Sequence, residues 1–219
     1  MKVFQLLFLF FSLLSIQNLC AQKFTFSTQM QYSIFDDEFS TTASEKIVFL
    51  CNNDNNTMMR IIIKNDTVQN VGLYDYKRMI AYQSSQKFAI NSDLATNLSN
   101  ITYSSHKFVD YNYYNKYKRY ITITTNKTEK GTDINVKKVE NHRRKLKGAD
   151  YDLHIKTAVY PEFTNTQGLV ISDICGKRFS HFKPINKEVI LESYFLVNDI
   201  KTKIHILDKI EAINFEINL

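Results

Sequence analysis

The side chains that most often catalyse reactions or bind metals are present in this sequence, but their spacing matches none of the common catalytic patterns. None of the five histidines has the His-Glu-x-x-His spacing of zinc proteases, and the three cysteines form no Cys-x-x-Cys pair. No serine lies in a Gly-x-Ser-x-Gly turn, the usual signature of serine hydrolases. We therefore assign no catalytic, metal-binding or cofactor-binding residue and expect no cofactor.

Two histidines, His154 and His205, lie in segments where polar and apolar residues alternate. A polar position on the solvated face of a strand is the usual explanation for such a histidine, and we interpret both residues in that way. A hydrolase whose active site is assembled from residues far apart in the sequence stays open as an alternative.

A basic segment close to several tyrosines is the strongest binding signal. Cations interleaved with aromatic rings can bind an anionic glycan or an anionic membrane surface. The alternative is a solvated hairpin whose charges keep the protein soluble. We call these residues the basic–tyrosine segment: Lys137, Lys138, Arg143, Arg144, Lys145, Lys147, Tyr113, Tyr114 and Tyr117.

The first 21 residues have the features of a secretory signal. Lys2 provides the positive start, an apolar run extends from Val3 to Ile16, and Ala21 is a small residue suited to cleavage. The run is shorter than the roughly 20 apolar residues of a spanning helix. We therefore expect residues 1–21 to be a signal peptide and the mature protein to be exported to the periplasm, the cell surface or the extracellular space. Export argues against nucleic acid as a partner.

Removal of the signal peptide leaves two cysteines, Cys51 and Cys175. In an oxidising compartment they can form a disulfide, which for so long a loop stabilises a fold by roughly 4 kcal/mol. Two buried free thiols are the alternative, because the sequence does not establish that the two Cα atoms lie within bonding distance.

Beyond the signal peptide the pattern is typical of β-strands. Apolar and polar residues alternate along the first of them, with apolar residues at Phe24, Phe26, Met30, Tyr32 and Ile34. Turn-forming residues recur between later apolar runs, at 52–57, Asn65-Asp66 and Asn198-Asp199. Further strands are predicted at 168–174 and 178–182, and two separate strands, 201–207 and 212–217, are predicted to close the chain. A short helix is expected, at most, within 91–100.

The composition and this pattern together define the fold class. A chain of 219 residues with 44% hydrophobic residues, 23% charged residues and a net charge of +6 is not disordered, collagen-like or a multi-span membrane protein. We predict a mainly β protein, an antiparallel meander that forms a curved sheet or half-barrel with at most one or two short helices. Residues 22–219 are expected to form a single domain.

The order and spacing of several strands resemble those of the lipoprotein-carrier superfamily. The segments that carry the resemblance are Phe24–Phe35, the strand pair around 52–57, Val71–Asp75 leading into Met79–Tyr82, and Ile204–Phe215. This layout is similar to the LolA/LolB-like half-barrels and to secreted proteins of the Bacteroidetes group with a similar sheet. The resemblance implies a half-barrel that can accept a lipid, and it transfers no functional residue. Unlike the carriers, this sequence has no tryptophan and no long amphipathic helix near its start.

These observations predict an exported, non-enzymatic envelope protein that binds an apolar or amphiphilic ligand or an envelope partner. A curved sheet with one apolar and one polar face either packs on a second sheet or encloses an apolar cavity able to accept a lipid. Two alternatives come from other functional classes. One is a β-sandwich adhesion or structural module that uses the basic–tyrosine segment, and the other is the hydrolase with a dispersed site.

Overall fold

A computed structural model describes residues 22–52, 57–90, 94–107, 121–138, 152–160 and 188–219. These residues form one antiparallel sheet of twelve strands and one short helix. Across these residues the sheet is curved and does not close on itself. The prediction of a mainly β protein with a curved antiparallel sheet is therefore confirmed.

Consecutive elements are joined by short connections wherever the structure describes the residues between them. The helix is α1 (Leu94–Asn100). The predicted strands at 168–174 and 178–182 lie outside the described residues. The strands are β1 (Lys23–Asp37), β2 (Glu45–Cys51), β3 (Thr57–Lys64), β4 (Thr67–Asp75), β5 (Ile80–Ser84), β6 (Phe88–Ala89), β7 (Ser104–Lys107), β8 (Ile121–Thr128), β9 (Gly131–Lys138), β10 (Asp152–Val159), β11 (Glu188–Val197) and β12 (Ile200–Asn218).

The strand order across the sheet is β7-β5-β4-β3-β2-β1-β12-β11-β10-β9-β8, and β6 pairs with β4. Most neighbours in the sheet are neighbours in the chain, as in a meander. The short strand β6 pairs with β4, so that β5 pairs with β7, and the long-range pairing of β1 with β12 joins the N-terminal half (β1–β7) to the C-terminal half (β8–β12). Backbone hydrogen bonds of 2.9 and 3.0 Å also join Gln22 and Leu219 in both directions.

Two hairpin turns are located where Asn-Asp pairs predict them. Asn65 and Asp66 connect β3 to β4 with φ angles of 50° and 54°, and Asn198 and Asp199 connect β11 to β12 with φ angles of 51° and 62°. Two consecutive left-handed residues form the turn whose twist matches that of paired strands, and Asn and Asp tolerate this conformation. Both turn predictions are confirmed.

The last strand is longer than the sequence predicts. The segments 201–207 and 212–217 belong to one strand of 19 residues, Ile200–Asn218, so the prediction of two strands is wrong. The polar residues between them stay extended because β1 pairs with them, as Gln29 does with Glu211. The Gln29 side chain also donates a hydrogen bond of 3.0 Å to the Glu211 carboxylate. Polarity alone does not end a strand whose backbone is paired on the sheet.

Two apolar clusters lie on opposite faces of β2. The first cluster connects the two halves of the sheet and consists of Met30, Tyr32, Ile47, Phe49, Cys51, Met58, Ile134, Val136, Leu153, Ile155, Val189 and Ile190. The second cluster lies on the other face of the N-terminal half, where α1 and the end of β12 contribute to it. Its buried residues are Phe24, Phe26, Val48, Leu50, Met59, Ile61, Ile63, Val68, Val71, Leu73, Leu98, Ile101 and Ile217.

A buried carboxylate joins three strands of the C-terminal half. Glu188 of β11 accepts hydrogen bonds from the hydroxyls of Thr157 on β10 and Thr132 on β9, the latter at 3.1 Å. The Thr157 hydroxyl also accepts a hydrogen bond of 2.9 Å from the backbone N–H of Thr132. The neighbouring Gly131 has a φ of 155°, and a Cβ atom there would lie 2.1 Å from the Thr157 carbonyl oxygen. A residue with a side chain therefore does not fit at position 131.

Candidate functional site

The basic–tyrosine segment is described by the structure only at its beginning. Lys137 lies on β9 and forms an ion pair of 2.9 Å with Asp152 on β10. Lys138 ends the same strand, and its side chain is not among those described. The remaining residues of the segment lie outside the described residues: Arg143, Arg144, Lys145, Lys147, Tyr113, Tyr114 and Tyr117. Binding of an anionic surface by this segment stays a prediction.

Cys51 is buried in the first cluster, and no described residue forms a disulfide with it. Desolvation by its apolar surroundings raises the pKa of this thiol far above the usual value, so that the reactive thiolate is strongly disfavoured. Cys175 lies outside the described residues, and its pairing with Cys51 stays a prediction.

A polar surface covers the face of the C-terminal half that is opposite the first cluster. The strand registers align its side chains in three rows that run across the strands. The central row is Thr124–Asn135–His154–Tyr194. The row on one side is Asn126–Asp133–Lys156–Glu192, and the row on the other side is Thr122–Lys137–Asp152–Leu196–Lys201. Directly opposed residues in antiparallel strands have Cβ atoms about 5 Å apart, so each row is a line of contacting side chains.

The central row and one neighbouring row form the walls of a groove of about 350 Å³. Lys201 lies at one of its ends, and the groove extends from β8 across β9 and β10 to β11. This volume is at the lower end of the range of small-molecule sites. We call this feature the polar groove; it is lined by Thr124, Thr125, Asn126, Asp133, Ile134, Asn135, His154, Ile155, Lys156, Glu192, Tyr194 and Lys201.

Two rings at the centre of the polar groove are stacked. The imidazole of His154 lies parallel to the Tyr194 ring, with a centroid distance of 4.8 Å and an interplanar angle of 8°. The Lys201 ammonium lies 4.5 Å from the centroid of the same tyrosine ring and 4.0 Å from the Glu192 carboxylate. Contact with a cation and a parallel ring restricts the motion of Tyr194, so this side of the groove is pre-organised.

Three polar atoms around these rings are buried without a hydrogen-bond partner among the described residues. They are Asn135 Oδ1, Asp152 Oδ1 and His154 Nε2. His154 Nε2 and Asp152 Oδ1 lie only 3.1 Å apart, but their orientation does not make a hydrogen bond. Unsatisfied buried polar groups cost free energy, and a bound molecule with matching donors and acceptors would remove that cost.

The charges on the three rows cancel. Asp133, Asp152 and Glu192 carry three carboxylates, and Lys137, Lys156 and Lys201 carry three ammonium groups. Lys156 lies directly between Asp133 and Glu192 in the register. This balance differs from the net charge of +6 of the whole chain, so the described side chains of the polar groove carry no excess of the positive charge that attracts polyanions.

The interpretation of the two strand histidines holds for only one of them. His154 lies on the solvated face, as predicted, where it is half-buried in the polar groove. His205 is only 8% exposed and lies on the face of the first cluster, so its assignment to a solvated face is wrong. The cause is pairing on both sides: β1 presents Ile34 to His205, and β11 presents Ser193.

A serine–histidine contact exists on this buried face, but its environment is that of a structural hydrogen bond. Ser193 Oγ lies 3.3 Å from His205 Nδ1, and both residues are buried. Desolvation lowers the pKa of His205 to about 4; a hydrogen bond that the imidazole donates to the Lys203 backbone opposes this shift, and the nearby Lys203 charge adds to it. A neutral, buried imidazole that substrate does not reach gives no support to the hydrolase alternative.

Sequence reasoning missed the polar groove, although one signal for it was present. The alternation in β9 and β10 assigns Asp133, Asn135 and Lys137 to one face, and likewise Asp152, His154 and Lys156. What the pattern does not contain is the register, which brings these two sets together and adds Tyr194 beside His154.

Comparisons with protein-family models, with curated proteins and with solved structures find no match. The resemblance to the lipoprotein carriers therefore stays a prediction. Within the described ranges no helix combines the length and the apolar character needed to cross a bilayer. The described side chains also contain no cluster of three or more histidine, cysteine or acidic residues arranged to hold a metal ion.

Proposed function

We propose that this chain is an exported, non-enzymatic envelope protein that binds an amphiphilic ligand or an amphiphilic part of an envelope partner. The observation that supports this function is the contrast between the two faces of the sheet at the edge strand β8. On one face of β8, Thr124 lines the polar groove. On the other face, Ile123 pairs with Val136 of the first cluster and stays 44% exposed.

An amphiphile fits such an edge because its two parts have different solvation needs. Its polar part gains hydrogen bonds in the polar groove, while its apolar part removes the exposed surface of Ile123 from water. The distance between the two surfaces is the thickness of a single strand. Both surfaces belong to the rigid, hydrogen-bonded strands β8 and β9, so little ordering is needed on binding.

Native mass spectrometry of protein purified from its own cell envelope tests this proposal. We expect a co-purifying amphiphile and binding of a fluorescent hydrophobic probe such as anilinonaphthalene sulfonate. Ile123→Ser should weaken probe binding. Ile90→Ser is the matched control, because Ile90 is 41% exposed directly after β6 in the N-terminal half, away from the groove.

Two results would contradict the proposal. One is purified protein without an amphiphile that also fails to bind the probe. The other is equal probe binding by the two serine variants and the unchanged protein, because the apolar contact would then not involve the β8 edge.

Export is tested separately. N-terminal sequencing of the protein recovered from the periplasm, the cell surface and the medium should begin at Gln22 if residues 1–21 are removed. Export would be contradicted if the protein were recovered only from the cytosol and still began at Met1.

A further inference from the structure

We infer that the polar groove binds a neutral, hydroxyl-rich ring, that is, a sugar unit of a free glycan or of a glycolipid headgroup. This inference rests on the proposed binding function and names the chemistry of the polar part of the ligand. It is based on the charge balance of the groove, on the alternation of donors and acceptors along its rows, and on its pair of stacked rings.

The charge balance selects against a charged ligand. A polyanion would meet Asp133 and Glu192 on either side of Lys156, and a polycation would meet Lys156 and Lys201. Either ligand would bring like charges together, which is costly in a partly desolvated groove. A neutral ligand can use both kinds of charged group at once without that repulsion.

Side chains that donate hydrogen bonds alternate with side chains that accept them along each row of the groove. Two adjacent hydroxyls of a sugar need such a pair of neighbours. Each sugar hydroxyl can donate one hydrogen bond and accept others, so two adjacent hydroxyls bind well where a carboxylate lies beside an ammonium or an amide. Asp133 has Lys156 as one cross-strand neighbour and Asn126 as the other. In the central row, the amide of Asn135 lies between Thr124 and His154.

The stacked rings provide a flat surface for the less polar face of the sugar. Tyr194 covers one face of the His154 ring, and Asn135 lies on the opposite side of that ring in the same row. The His154 side chain nevertheless stays 29% exposed and lines the groove, so part of its ring is accessible to a ligand. A sugar ring presents C–H groups on its faces and hydroxyls at its rim, so it can rest on this ring and still reach Asp133 and Lys156.

Protein-observed NMR with neutral glycosides tests the inference. The probes are the methyl glycosides of glucose, galactose, mannose and N-acetylglucosamine at millimolar concentration, with inorganic phosphate and sodium chloride as charged comparisons. At least one glycoside should shift the ring resonances of His154 and Tyr194 and the side-chain amide of Asn135. Phosphate should leave these resonances unchanged, and the glycoside affinity should not fall as the salt concentration rises.

Matched lysine variants locate the contact. Lys156→Ala should weaken glycoside binding about tenfold, the effect of losing one hydrogen bond to a charged group. Lys127→Ala is the control, because Lys127 is exposed on the same sheet but is not one of the residues that line the groove. Vesicles of phosphatidylcholine with and without a glucosyl diacylglycerol distinguish a glycolipid headgroup from a free glycan.

Each outcome decides the inference. It is wrong if none of the four glycosides shifts the groove resonances, if phosphate shifts them and the glycosides do not, or if the two lysine variants lose affinity equally. The proposed amphiphile-binding function fails independently, in the mass-spectrometry and probe experiments. Glycoside binding without probe binding would support the sugar site and reject the apolar contact at Ile123.

Discussion

The two halves of the sheet use their faces differently. In the N-terminal half, β2 is buried on both faces, so consecutive residues such as Phe49 and Leu50 belong to the first and second clusters respectively. In the C-terminal half, β10 buries Ile155 in the first cluster, and the next residue, Lys156, is exposed in the polar groove. Among the described residues, the N-terminal half therefore contains most of the buried apolar side chains, while the C-terminal half keeps a face on which binding groups can vary at little cost to the fold.

The largest effects are expected where both faces are buried. Phe49→Ala should lower the free energy of unfolding by about 3–5 kcal/mol and Leu50→Ala by about 2–5 kcal/mol, because each leaves a cavity in a different cluster. Phe49 also loses its edge-to-face contact with Tyr32, whose ring centroid is 5.9 Å away. Urea denaturation followed by circular dichroism measures both changes. A small effect for either residue would show that its cluster is loosely packed, which would weaken the contrast between the halves.

The next largest effect is expected for His205, where a polar group is buried on the apolar face of the C-terminal half. Its pKa is about 4 in the folded protein and about 6.5 in the unfolded chain, because burial disfavours the charged imidazole. The unfolded chain therefore takes up a proton that the folded protein does not between these pH values. The free energy of unfolding therefore has the full contribution of neutral His205 above pH 6.5 and loses it as the pH falls toward 4. The total loss is up to about 3 kcal/mol, and below about pH 4 this group causes no further change.

Denaturation across this pH range, with His205→Gln as the comparison, isolates that effect. Carboxylates also titrate near pH 4, but they do so in both proteins, so the difference between the two stability curves reports the imidazole. Parallel curves from pH 7 to pH 4 would mean that His205 is not desolvated.

A third, smaller effect is expected at the buried carboxylate of the same half. Thr157→Val should cost about 1–3 kcal/mol, because it removes a hydroxyl that Glu188 and the backbone N–H of Thr132 both use. The side chains have nearly the same volume, so packing changes little. Differential scanning calorimetry should detect a lower melting temperature. Thr122→Val is a control on the exposed edge strand, and an equal loss there would contradict the role of the buried network.

The smallest effects on stability are expected on the face that carries the polar groove. Lys156→Ala should change the free energy of unfolding by no more than about 0.5 kcal/mol, as is usual for exposed residues. Ile155→Ala, at the neighbouring residue whose side chain is buried on the other face, should lower the free energy of unfolding by about 2–5 kcal/mol. Comparable losses for these neighbours in a denaturant titration would mean that the two halves do not differ as described.

The sequence predicts the local features of this fold well, because they depend on neighbouring residues. The Asn-Asp pairs at 65–66 and 198–199 lie at hairpin turns because these residues tolerate positive φ. The alternation along β1 and β10 corresponds to buried and exposed side chains because strand geometry has a period of two.

Features that depend on distant pairing were not predictable from the same patterns. The continuity of β12 through its polar middle depends on β1, and the burial of His205 depends on Ile34 and Ser193. The polar groove depends on the register of β8, β9, β10 and β11. Tyr194 and Asn135, for example, become neighbours of His154 only when β9, β10 and β11 are aligned. Composition and periodicity contain no information about which strands are adjacent.

The pairing of β1 with β12 also constrains how the chain reaches its native state. β1 can pair with β2 early in synthesis, but its pairing with β12 requires the last of the twelve described strands, so the two halves are joined late. Contacts between residues so far apart in sequence slow folding and prolong the lifetime of incomplete chains. Late joining of the two halves therefore leaves apolar side chains and the unpaired edge of β1 accessible for longer, which increases the need of the chain for protection from aggregation.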